Sequence, residues 1–205
     1  MADHRAGPPA ATKATIGNED WDARDPELAQ WESTTFSGVD LMDWEQVGAV
    51  FADCTFRNVK FNVSSHTDAA FVNCTFDNCS FFDASFIRCK LVGSRFHRCT
   101  LTLLKVTGGD WSFVGMSGAD LSSAEFHNVR MREADLTGAN AKGAVLRGLD
   151  LSDAWTGKAD FSGADLRGSN LSSFELDTTE LRAAIITPDQ AVVLATKRGL
   201  DVRDE

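Results

Sequence analysis

The 205-residue chain has no tyrosine, and none of its four prolines falls between Pro26 and Pro188. A long proline-free span is what a backbone needs when nearly every N–H pairs with a neighbouring strand. No stretch approaches the roughly 18 consecutive apolar residues of a membrane-spanning helix. No charged segment leading into an apolar core marks a secretory signal, so a cytoplasmic protein is expected. The four histidines, His4, His66, His97 and His127, do not stand beside a Ser or Cys nucleophile at triad spacing. An odd set of five cysteines without a CxxC pair suits neither a disulfide framework nor a zinc site. These absences leave no catalytic residue, metal ligand or cofactor to assign, and the length suits one domain.

What is present is a repeat. Every fifth residue from Trp31 to Ile186 is apolar, and of the 32 positions in that series only Gln46, His66 and Thr156 depart. Phe51, Phe56, Phe61, Phe71, Phe76, Phe81 and Phe86 lie on it, as do Phe161, Leu166, Leu171, Leu176 and Leu181. Two residues before each large position sits a small one, such as Cys54, Ala69, Cys74 or Ala84, with Trp44, Leu104, Leu149 and Phe174 as exceptions. A period of five fits neither an α-helix at 3.6 nor a strand at 2. It fits a chain that turns a corner every five residues, so that four units close one square coil. On that reading residues 29 to 186 make about eight stacked coils. The large and small residues point inward, and the outer positions are Asp, Asn, Ser, Thr, Arg and Gly, which suit turns. Cys54, Cys74, Cys79, Cys89 and Cys99 all take the small inward position, where they are expected to be slow to react.

The two ends lack the period. Residues 1 to 28 carry Gly7, Pro8, Pro9 and Gly17, then an acidic run from Glu19 to Glu27. The first 16 or so are expected to be disordered, with the stretch from Asp20 to Ala29 capping the first coil. Residues 187 to 205 read as a helix and tail. Thr187 is the N-cap, Pro188 the first helical residue and Gln190 the third, as in a capping box, and Gly199 ends the helix. Val192, Val193, Leu194 and Leu200 are more apolar surface than one narrow cap needs. They are the expected interface of a homodimer built through this end.

The runs Ala119-Asp120-Leu121, Ala134-Asp135-Leu136, Ala159-Asp160-Phe161 and Ala164-Asp165-Leu166 resemble the A(D/N)LXX unit of the pentapeptide-repeat family. The resemblance implies an all-β fold, a right-handed quadrilateral parallel β-helix, here with a short C-terminal α-helix. Residues 129–133, 145–152, 164–168 and 189–192 resemble the mycobacterial and Qnr-type fluoroquinolone-resistance branch of that family. That implies a non-enzymatic mimic of duplex DNA that binds DNA gyrase, itself binds no nucleic acid or membrane, and dimerises through the C-terminal helix.

Charge locates a candidate face. The formal net charge is −10, and residues 20 apart should stack. Asp120, Asn140, Asp160 and Glu180 then form one acidic ladder. Glu125 and Asp165 fall on the next face, Asp150 on a third and Asp135 on the fourth. A basic belt, Arg88 to Lys105, lies mid-rod. Two other readings stay open: a repeat scaffold for another protein partner, and a β-helical carbohydrate-active enzyme. The latter needs a cleft between paired acids, and an unbroken repeat leaves no loop to build one.

Overall fold

A computed structural model describes residues 9–18 and 30–203. The chain is a right-handed quadrilateral β-helix whose parallel pairings all keep a register of 20 residues. One face climbs through Thr15, Thr35, Thr55, Thr75, Arg95, Gly115, Asp135 and Trp155. A second carries Glu45, Ser65, Ser85, Lys105, Glu125, Val145, Asp165 and Ile185. A third runs from Gln30 and Val50 through Ala70, Lys90, Asp110 and Arg130 to Asp150. The fourth holds Asp40, Lys60, Ser80 and Thr100, then Asp120, Asn140, Asp160 and Glu180.

The corners explain the two polar residues of each unit. The residue two after each large one has a left-handed backbone at most corners: Gly38 (φ 65°), Asp53 (φ 53°), Asn58 (φ 53°), Asp68 (φ 53°), Asn78 (φ 56°). Glycine, Asn and Asp tolerate that region best. Each such corner N–H can then reach the coil above, as when Gly38 N donates to Arg57 O (2.9 Å) and Gly48 N to Thr67 O (2.9 Å). Val63 (φ 60°), Leu103 (φ 59°) and Phe113 (φ 61°) hold the same conformation although they are bulky and exposed.

The core is built in columns. Phe36, Phe56, Phe76 and Phe96 stack ring on ring at 4.8, 5.0 and 4.8 Å, and Phe51 on Phe71 at 4.7 Å. All of them are buried, and stacking one coil above another makes each ring the floor of the next. Small inward residues satisfy their own polar atoms: Cys74 Sγ donates to Phe51 O (3.4 Å), Ser94 Oγ to Phe71 O (2.6 Å) and Ser169 Oγ to Leu146 O (2.7 Å). Above Trp111 the core changes to Met116, Leu121, Met131, Leu136 and Leu146, with Phe126 and Phe161 among them.

Both ends differ from a bare repeat. Residues Ala14–Gly17, expected to be unstructured, form a strand that pairs in parallel with Thr34–Ser37. Ile16 packs against the core below Phe36. The cap expected at residues 20 to 29 lies outside the described residues. At the other end the helix Pro188–Lys197 has its full capping box, with Thr187 N donating to Gln190 Oε1 (2.7 Å). The buried Gln190 also donates through Nε2 to Leu166 O (2.7 Å) and Ser169 O (2.6 Å), which ties the helix to the last coils. Leu194 turns onto the core instead of outward.

Candidate functional site: an acidic ladder above a break in the coil

Asp120, Asn140, Asp160 and Glu180 do stack, through consecutive bridges on one face. Their side chains do two jobs. Asp120 Oδ1 accepts from Ser122 N (3.1 Å), Asp160 Oδ1 from Ser162 N (3.0 Å) and Glu180 Oε1 from Arg182 N (2.9 Å). The acid at this point of the unit therefore closes its own turn. Asp120 and Glu180 remain exposed, whereas Asp160 is half-buried and its second oxygen meets Lys142. Bonds from Ser122 hold the Asp120 carboxyl below its ordinary range. Those from Ser162, with Lys142 at 3.0 Å, bring Asp160 down to about 2. Asn140 Nδ2 donates to Asp120 Oδ1 (3.0 Å) and relieves the stacking of like charges.

The other expected acids divide into two groups. Glu125 is exposed, with His127 at 4.0 Å, and Asp135 is half-buried, caps its turn through Thr137 N (3.0 Å) and has no cationic partner among the described residues. Asp150 is paired with Arg132 at 2.6 Å. Asp165 is not available to a partner. It is 8% exposed, and both Arg147 (2.5 Å) and Arg167 (2.8 Å) neutralise it. Its role is to hold the coil together, which corrects its place in the expected surface.

Three cations of the mid-rod basic belt are similarly paired. Arg88 pairs with Asp68 (2.7 Å), Arg98 with Asp77 (2.7 Å) and Lys105 with Asp83 (2.7 Å). Asp40, Asp68, Asp77 and Asp83 of the lower half each meet a cation, and the ladder retains Asp120 and Glu180 without one among the described residues.

Periodicity did not reveal an interruption beneath the ladder. Thr100 N donates to Cys79 O (3.0 Å) below it, but no described backbone hydrogen bond joins residues 98–101 to residues 117–120. One coil higher the ladder resumes, with Asn140 N on Ala119 O (2.9 Å) and Leu121 N on Asn140 O (2.7 Å). A cavity of about 200 Å³ opens at the gap, lined by Phe96, Arg98, Cys99, Leu101, Ser117 and Asp120 among others.

At the C-terminal end Val192, Val193 and Leu200 are exposed. Leu200 also lines an open cleft of about 620 Å³ together with Leu176, Leu181 and Leu194. No described helix is long and apolar enough to cross a membrane, and no described group of His, Cys, Asp and Glu could hold a metal ion.

Two repeat-family descriptions match this chain: "Pentapeptide repeat region" over residues 79–155 and "Pentapeptide repeats (8 copies)" over residues 159–187. The chain belongs to the pentapeptide-repeat family. No curated protein matches it. Among solved structures it is similar to trypsin-treated forms of QnrB1, described as a plasmid-mediated fluoroquinolone resistance protein. One matches with a TM-score of 0.67 at 20% identity, covering 94% of this chain and 98% of that one. Another has a TM-score of 0.57 at 22% identity, covering 94% and 99%. At such identities the likeness establishes the shared coil of this pentapeptide-repeat protein, and function has to be argued from its surface.

Proposed function

We propose that this pentapeptide-repeat protein is a non-enzymatic mimic of duplex DNA that binds DNA gyrase in the cytoplasm and protects it from fluoroquinolones or similar inhibitors. The observation that carries the reading is the ladder Asp120, Asn140, Asp160 and Glu180. It sets a polar or acidic group at every coil of one straight face. Successive coils lie ~4.8 Å apart, which spaces rigid acceptors regularly as a nucleic-acid backbone does. Eight such levels give a rod of ~38 Å. A C2 dimer through Val192, Val193 and Leu200 would approach ~75 Å, about 22 base pairs at 3.4 Å each. The exposed apolar residues beside the C-terminal cleft support that assembly, and the fold shared with QnrB1 supports the partner.

A supercoiling assay with purified gyrase, run with and without a fluoroquinolone over a range of salt, tests the proposal. The double substitution Asp120→Asn and Asp160→Asn keeps an acceptor for the turn and removes two charges. It should leave the melt unchanged and weaken the effect on gyrase, most at low salt, where screening is least. Equal activity of parent and variant at every salt concentration would show that the ladder is ordinary solvated surface. No effect of the parent itself on gyrase would favour a scaffold for another protein.

A further inference from the structure

The cysteines do not share one environment. Cys54, Cys74, Cys79 and Cys89 are buried, whereas Cys99 is partly exposed and lines the cavity at the interrupted ladder. Expectation placed all five out of reach; the missing coil-to-coil bonds above Cys99 uncover it. Directly beneath it stands Cys79, one coil down and in register, with Ser80 paired to Thr100 beside them. The neighbouring rings Phe76 and Phe96 are 4.8 Å apart, which is the coil spacing at this point. A disulfide spans Cα atoms ~4.4–6.8 Å apart but needs Cβ atoms at ~3.5–4.5 Å. Closing that pair therefore requires the Cys99 coil to settle slightly toward Cys79. No described backbone hydrogen bond ties residues 98–101 to the coil above, where the next tie is Leu103 N on Ser123 Oγ (3.1 Å), so this stretch can shift with little to break.

We propose that Cys99 is a peroxide-sensitive thiol and that Cys79 resolves it. A hydroperoxide reacting with the Cys99 thiolate breaks its O–O bond and leaves a sulfenic acid on Cys99 and the corresponding alcohol, or water, as product. The Cys79 thiol then attacks that sulfur, an S–S bond forms, and the hydroxyl departs with the thiol proton as water. The two electrons given up by the thiol pair are those that reduce the peroxide. Contact between the two thiols lowers the pKa of Cys99 and raises that of Cys79, so Cys99 is the member of the pair that ionises first.

The chain carries its own control. Cys54 and Cys74 are also one coil apart, yet both are buried. Their upper neighbour is latched: Cys74 N donates to Ser94 Oγ (2.9 Å), and Arg95 N to Cys74 O (2.9 Å).

The test is hydrogen peroxide added to the purified 205-residue chain, followed by dimedone trapping and peptide mass mapping. The expected result is a cross-link between the Cys79 and Cys99 peptides, two mass units lighter and reversed by dithiothreitol. Before oxidation, maleimide should label Cys99 at least about tenfold faster than Cys74, as thiolate access demands. In a Cys79→Ala variant, whose column already holds Ala119 and Ala139, the cross-link should vanish and a dimedone adduct should accumulate on Cys99. A Cys54–Cys74 cross-link in equal yield would overturn the proposal. So would Cys99 passing to the sulfinic acid in the parent without cross-linking, or Cys99 remaining unoxidised.

Discussion

His66 offers a measurable link between the core and pH. It occupies a large inward position, is fully buried and stacks on Phe86 at 4.8 Å. Its Nε2 meets Ser64 Oγ at 3.0 Å, its Nδ1 has no hydrogen-bond partner among the described residues, and Gln46 lies one coil below in register. Burial drives its pKa from 6.5 to about 3. A folded-state pKa below the unfolded value means that the unfolded chain binds the proton more readily. His66 therefore costs nothing above about pH 6.5 and destabilises progressively as the pH falls from there toward 3. At pH 5 the penalty comes to ~2 kcal/mol, at ~1.4 kcal/mol per unit of separation. The carboxylates are common to parent and variant, so their contribution cancels when the two are compared. The variant His66→Phe puts into the site the ring that already stands at Phe61, Phe71 and Phe86. Urea unfolding at pH 7.5 and pH 5 should show the parent losing ~2 kcal/mol more than the variant between the two. Parallel losses in both would mean that His66 is not the buried neutral group described.

Three further substitutions probe the coil. Phe76, buried between Phe56 and Phe96, should cost ~3–5 kcal/mol when cut to Ala, and an unchanged thermal melt would refute the inward phase. Gly109 has φ +93°, and an added Cβ would sit 2.1 Å from Cys89 O. Gly109→Ala should therefore lower the melting temperature far more than Gly118→Ala, where φ is +67° but nothing lies within 4 Å. Val63, β-branched at φ 60° and 47% exposed, should gain about 1 kcal/mol on replacement by Gly, read as a higher denaturation midpoint.

The coil was legible because a single phase runs through it, and the closing helix because its cap residues stand at fixed offsets. The strand Ala14–Gly17 went unread although Ile16 is on phase and Ala14 holds the small position two before it. Pro26 breaks the series before Trp31 and hides the continuation. Asp165 looked like free charge in a linear reading. Arg167, two ahead, meets it within the same turn, but Arg147 lies 18 residues back and becomes a contact only once a 20-residue coil is closed. Leu194 could not be told from Val192 and Val193 until the helix was docked. The exposure of Cys99 left no mark at all, because it arises from bonds that the neighbouring coil does not make.

That same interruption has a mechanical meaning. Around residues 95 to 125 the coils are latched on three sides, through Arg95 to Gly115, Lys105 to Glu125, and Lys90 to Asp110 to Arg130. On the fourth side no described backbone bond joins Thr100 to Asp120, and the nearest tie is Leu103 N on Ser123 Oγ (3.1 Å). A tube notched on one side at one level opens most easily toward the notch, and the acidic ladder starts at the upper lip of that notch, at Asp120.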